Sequence, residues 1–174
     1  MKSRALIGLL LLGSLAAACG NDTPTTPSSA SSSVTFTTTL LPSSEVPPIN
    51  GSEANGSGTG TLKFNVTRDA AGNITAATMD AAVSVTGFPA GTALTASHIH
   101  PGAPGANGGI LVSLGLAAGE VTFPTGSGSF SKQGITVPAD QANSILANPA
   151  AFYLNIHTAA NPGGVARGQL TRTQ

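Results

Sequence analysis

Charge, cysteine and large aromatic rings are all scarce in this chain. Of its 174 residues only 8% are charged, and there is one cysteine, one tyrosine, no tryptophan and only three histidines. The lone cysteine, Cys19, excludes a disulfide within the chain. Beyond Lys2 and Arg4 the basic residues are Lys63, Arg68, Lys132, Arg167 and Arg172, five against seven acids, so the net charge without the first 18 residues is near −2. No basic stripe exists, and nucleic acid is excluded as a partner. The acids are scattered, with no close carboxylate pair for glycosidase-type chemistry. Tyr153 alone cannot make a sugar-stacking platform, and most phenylalanines fit core positions. Serines are plentiful, yet none sits in Gly-x-Ser-x-Gly with an acid and a histidine in the matching order; Gly56-Ser57-Gly58 and similar stretches read as turns. The glycines form no strand-to-helix phosphate loop. These absences favour a binding or structural module over an enzyme.

What is present begins with an address. Lys2 and Arg4 precede an uncharged, mostly apolar run, residues 5–18, ending in Ala16-Ala17-Ala18. The run is shorter than the roughly 20 residues that cross a bilayer, so residues 1–18 read as an export signal peptide. Small residues directly before Cys19 resemble a bacterial lipoprotein box, in which the sulfur is acylated and becomes the new N-terminus. Here Leu15 stands four residues before the cysteine, where the box usually places it three before. The alternative is cleavage after Ala16-Ala17-Ala18, leaving a free thiol on a secreted protein. Residues 20–33, GNDTPTTPSSASSS, cannot bury enough apolar surface to offset their ordering entropy. Residues 19–33 are therefore expected to be a lipidated cysteine and a disordered tether of about 20 Å. The partner so implied is a membrane, reached through a lipid on Cys19, and the compartment is the extracytoplasmic cell envelope.

From Val34 to Gln174 there are 141 residues, right for one domain that folds without disulfides or a structural metal. Alternation of apolar and polar residues dominates, with turn residues at short intervals. Strands are predicted over 34–41, 61–67, 74–85, 94–100, 109–114, 119–123, 126–131, 152–157 and 165–171. Asp69-Ala70-Ala71-Gly72-Asn73 reads as a hairpin turn. One short helix is expected over 138–147, opened by Pro138 and stopped by Asn148-Pro149. The fold class is all-β: a Greek-key β-sandwich of about eight or nine strands with one short helix. A closed barrel is the alternative.

Histidine supplies the sharpest functional signal. Two of the three form His98-Ile99-His100, and the third, His157, ends Phe152-Tyr153-Leu154-Asn155-Ile156. Each leads into a loop rich in Gly, Pro and Asn. With Ile99 inward, His98 and His100 project together, about 6.6 Å apart along the strand. Tyr153, Asn155 and His157 likewise share the face opposite Leu154 and Ile156. Two similar hairpins lying side by side bring all three imidazoles together.

Further segments occur in a specific order: Glu45-Val46-Pro47-Pro48, Gly58 and Gly60, Gly87-Phe88, Ser97-His98-Ile99-His100-Pro101-Gly102, Tyr153-Leu154-Asn155-Ile156-His157-Thr158, then Asn161-Pro162-Gly163-Gly164-Val165-Ala166-Arg167-Gly168-Gln169-Leu170. Together they resemble the CHRD (chordin-type) domain, a module that also occurs singly in bacterial secreted proteins. The resemblance spans nearly all of 34–170. It departs from the family at Val165-Ala166, where Glu-Ile is usual, and at Ser97, where Ala is usual. It implies a β-sandwich in an extracytoplasmic setting and carries no settled activity. A weaker likeness is to copper/zinc superoxide dismutase, which would make His98, His100 and His157 copper ligands and give Arg167 the task of guiding an anionic substrate. Counterparts of that enzyme's zinc-site residues and disulfide are lacking.

Two readings of the histidines follow. Three neutral imidazoles can hold zinc with a solvent fourth ligand, or copper in a tetragonal site, and an enzyme built on them would be a metal-dependent oxidoreductase. Alternatively the rings pin the two Gly-rich loops through hydrogen bonds to backbone carbonyls. Arg167 and Glu45 are candidate anion-contacting residues, with a structural brace as the favoured role: Arg167 would pair with Glu45 or cap loop carbonyls.

Overall fold

The structure is a computed structural model and describes residues 29–174. The signal peptide, Cys19 and most of the predicted tether lie outside the described residues. Among those described there are ten strands and one α-helix: β1 (Ala30–Leu40), β2 (Ser57–Arg68), β3 (Ile74–Thr86), β4 (Thr92–Pro101), β5 (Val112–Ser113), β6 (Thr122–Phe123), β7 (Gly128–Thr136), α1 (Ala139–Ala147), β8 (Phe152–Thr158), β9 (Ala166–Gln169) and β10 (Thr171–Arg172). One antiparallel sheet runs β10-β1-β2-β3-β7, and the second runs β5-β4-β8-β9 with β6 also on β4. β1, β2 and β3 follow one another in chain and space, and β10 returns to lie beside β1. That order is a Greek key, and the sandwich class holds.

The core lies between the sheets. Phe36 of β1 meets Phe64 of β2 edge to face, with ring centroids 5.6 Å apart. Together with Leu62 and Met79 they face Ile99, Leu154 and Ile156 of the second sheet, all fully buried. Polar residues alternate outward along β1 to β3, as a half-buried antiparallel sheet requires. α1 packs against β3 through Ala142 and Ile145, and the chain enters it through Pro138 as expected. None of the described helices is long and apolar enough to cross a membrane.

Several boundaries differ from the sequence expectation: the runs 109–114 and 119–123 pair only as the two-residue β5 and β6, and the strand expected over 126–131 continues to Thr136 as β7. Ala30–Ser33, assigned to the tether, already pair with Asn65–Arg68; the backbone ladder of β2 extends past the last apolar residue and holds these serines. Ser57 and Gly58, read as a turn, belong to β2 together with Gly60. A Cβ on Gly60 would stand 2.7 Å from Leu154 Cδ2, so the glycine lets the second sheet close down rather than breaking the strand. The single strand expected over 165–171 is instead two, β9 and β10, which belong to different sheets. Just before that change, Leu41 and Arg167 exchange backbone hydrogen bonds of 3.1 and 3.3 Å, tying the end of β1 to β9.

Candidate metal centre

β4 and β8 pair directly, with His98 opposite Asn155, His100 opposite Tyr153 and Ala96 opposite His157. Ile99, Leu154 and Ile156 turn into the core, and strand alternation sends their neighbours to the outer face. On β9, Arg167 lies opposite Asn155 and joins the same layer. This outer face is roofed by loops. Asn107 Nδ2 donates to the Val46 carbonyl at 2.8 Å, linking two of them, and every residue of β8 is buried.

Beneath this roof the three histidines converge. Ring centroids are 4.8 Å apart for His98 and His157, 5.5 Å for His98 and His100, and 6.2 Å for His100 and His157. One ring nitrogen from each lies within 4.8 Å of the others. Register alone explains the meeting, because adjacent positions on paired strands present neighbouring side chains.

The tautomers are set from outside the cluster. His100 Nδ1 lies 3.0 Å from the Gly108 carbonyl and His157 Nδ1 lies 2.9 Å from the Pro162 carbonyl. A carbonyl only accepts, so each Nδ1 carries the proton and donates it. In the neutral rings each Nε2 is then a bare lone pair. His100 Nε2 is buried without a partner. His157 Nε2 faces His98 Nδ1 at 3.0 Å and Asn155 Oδ1 at 2.9 Å. Burial pushes the pKa of His98 down to about 4, with His157 and His100 adding repulsion. His157 is also lowered, chiefly by burial, against the stabilising Pro162 carbonyl. Both rings therefore favour the uncharged form that a metal needs.

A tetrahedral ion with Zn–N bonds of about 2.0–2.1 Å sets its nitrogens roughly 3.3 Å apart. The His98–His157 pair has nearly that spacing, and the wider separations call for a small inward shift. Carbonyl acceptors on the far nitrogens match the outer support of metal-binding histidines. The donor set fits zinc or copper.

Arg167 and Glu45 do not form the ion pair considered from the sequence; among the described residues the one ion pair is Lys132–Glu120 at 2.6 Å. Arg167 instead caps the roof loops. Its Nε donates to the Ser44 carbonyl at 2.7 Å, and Nη1 donates to the Ala106 carbonyl at 3.1 Å and Asn107 Oδ1 at 2.9 Å. It is 1% exposed, and its Nη2 makes no hydrogen bond; these loop contacts are those of a brace rather than of the substrate-guiding role implied by the superoxide dismutase likeness. Glu45 is buried beside it. Desolvation raises its pKa to about 7 against the pull of the Arg167 charge.

Sequence reading did not single out the outer supports of the site. Glu53 Oε2 accepts from Thr158 Oγ1 and Asn161 Nδ2, which fixes the loop presenting the Pro162 carbonyl. No sequence signal marks that contact. Asn155 and Tyr153 were legible only as same-face neighbours of His157.

The family model described as CHRD domain matches residues 36–170. The chain belongs to the CHRD domain family. No curated protein and no solved structure matches it. In this CHRD domain both histidine motifs and the Arg167 strand fall inside the matched span, whereas Cys19 precedes it.

Proposed function

We propose that this CHRD domain is a metal-binding module of the bacterial cell envelope, tethered through Cys19 and holding a divalent ion on His98, His100 and His157. One observation carries the reading: three buried or half-buried imidazoles converge, and two have their far nitrogens tied to backbone carbonyls. Such an arrangement turns the Nε2 lone pairs of His100 and His157 inward; His157 Nε2 has one possible donor, His98 Nδ1 at 3.0 Å, and His100 Nε2 has none. Zinc and copper suit it, since imidazole nitrogen is a preferred donor for both. The sole methionine of the domain, Met79, is sequestered in the core, so no thioether favours monovalent copper.

The test is metal uptake by protein purified without a histidine tag, followed by calorimetric titration with Zn²⁺ and Cu²⁺. Uptake of one ion per chain is expected, and replacing any one of the three histidines by alanine should remove most of the affinity. No uptake of either ion by the native protein would overturn the reading. Dismutation of superoxide by the copper-loaded protein would extend it to an oxidoreductase.

A structural role for the same rings has its own support. The bonds from His100 to Gly108 and from His157 to Pro162 pin both loops whether or not an ion binds. Folding therefore does not depend on metal, and the metal-free protein should remain folded.

A further inference from the structure

Among the groups around the histidines, the carboxamide of Asn155 is out of place for a metal-free hydrogen-bond network. Asn155 is 1% exposed, and its Oδ1 stands 2.9 Å from His157 Nε2. That nitrogen is bare in the neutral ring, because the His157 proton is on Nδ1 and directed at the Pro162 carbonyl, 2.9 Å away. An amide oxygen and an imidazole lone pair are both acceptors, and at this distance they repel.

Turning the amide over would give His157 Nε2 an N–H donor and would break no hydrogen bond of the amide nitrogen, but it leaves His100 Nε2 still buried without a partner. Nor does one proton shared by His98 Nδ1 and His157 Nε2, 3.0 Å apart, satisfy the set. It leaves the amide oxygen facing a ring nitrogen and His100 Nε2 still without a partner. Two ring nitrogens and an amide oxygen converge, with a third nitrogen close by, and a small cation satisfies all of them together.

We infer that Asn155 Oδ1 is the fourth protein ligand of the site, which makes it a closed set of three nitrogens and one oxygen. This inference rests on the three-histidine reading and deepens it. Four protein donors around zinc complete a tetrahedron, whereas catalytic zinc sites keep one position for solvent or substrate. The site is then built to hold a divalent ion rather than to turn over a substrate on it. Amide oxygen also adds a hard donor, which disfavours monovalent copper further.

The full chain carrying Cys19→Ser, exported without acylation, is the protein to examine, with Co²⁺ as a coloured substitute for zinc and azide as a probe for an open position. The native site should give a tetrahedral Co²⁺ spectrum that azide leaves unchanged. Asn155→Leu should bind at least about tenfold more weakly, as loss of a supporting group at a metal site costs about 10–100-fold, and its spectrum should shift on adding azide. Asn155→Asp, of nearly the same shape, should bind tighter than the native protein and still exclude azide; it carries the test if the leucine variant does not fold. Azide binding to the native protein would overturn the inference, as would affinities within about threefold across the variants, while the three-histidine site stood. A native protein that takes up no Co²⁺ or Zn²⁺ would overturn both.

Discussion

Tyr153 lies flat on His100, with ring centroids 5.1 Å apart and planes 9° from parallel. Its other face carries the Arg167 guanidinium, whose central carbon is 4.3 Å from the ring centroid. Imidazole, phenol and guanidinium thus form a three-layer stack from β4 through β8 to β9. The tyrosine hydroxyl also accepts from the Gly108 N–H at 3.4 Å, beside the carbonyl that orients His100. The cation of this layer therefore stiffens the histidine cluster from behind, by packing, without touching it.

Arg167→Ala removes the cation from the stack and leaves the Ser44 and Ala106 carbonyls and Asn107 Oδ1 without their donor. Hydrogen bonds from a charged group contribute about 1.5–3 kcal/mol each, and abandoned buried acceptors add to the loss. Unfolding free energy in urea should fall by about 3 kcal/mol or more. Arg167→Lys should recover only part of this, because an ammonium cannot span the same fork. An unchanged denaturation midpoint for Arg167→Ala would reassign the residue to ligand contact.

Gly168 and Gly163 are five residues apart and should respond oppositely to alanine. A Cβ on Gly168 would stand 1.9 Å from the Thr39 carbonyl oxygen and 2.4 Å from Thr38 Oγ1, whereas at Gly163 nothing lies within 4 Å. Gly168→Ala forces β1 and β9 apart where the two sheets join, and overpacking of this kind costs about 1–3 kcal/mol or more. Gly163→Ala should change stability by no more than about 0.5 kcal/mol. Parallel thermal melts of the two variants decide it; equal shifts would contradict the close approach.

Much of this was legible in the sequence because alternation encodes which face a strand residue occupies. Ile99 inward places His98 and His100 outward whatever the sheet order. Likewise, Leu154 and Ile156 fix the side of Tyr153, Asn155 and His157. What alternation cannot encode is pairing across long separations. The Arg167 contacts to Ser44 and Ala106 and the Glu53 brace depend on which loops fold over the sheet. Glycines misled for a related reason: Gly58 and Gly60 carry a turn-like composition, but Gly60 is small because Leu154 of the other sheet needs the space.

Cys19 precedes the described residues, and its role is testable in cells. Cys19→Ser should move the protein from the membrane fraction to the soluble envelope fraction while leaving the sandwich folded. Retention in membranes at native levels would show that acylation at this residue is not what holds it there.

The pH dependence of the metal-free protein should separate Glu45 and His98, two titrating groups of opposite tendency. Glu45 has its folded pKa raised from 4.5 to about 7, so the folded state binds its proton more tightly than the unfolded chain. Its contribution is complete below about pH 4.5 and is lost as pH rises toward 7. His98 has its folded pKa lowered from 6.5 to about 4, so its contribution is complete above about pH 6.5 and is lost as pH falls toward 4. Between those limits the slopes oppose each other, and His157, lowered in the same direction as His98, tilts the native profile toward a gentle rise with pH. Glu45→Gln should leave the histidine slope alone, with stability rising from about pH 4 to 6.5. His98→Gln should tilt the profile toward the carboxyl slope, with stability at about pH 7 lower relative to about pH 4.5 than in the native protein. Melting curves across this range in the presence of a chelator provide the check, and variants whose profiles both keep the native shape would show that neither group is held in its unfavoured environment.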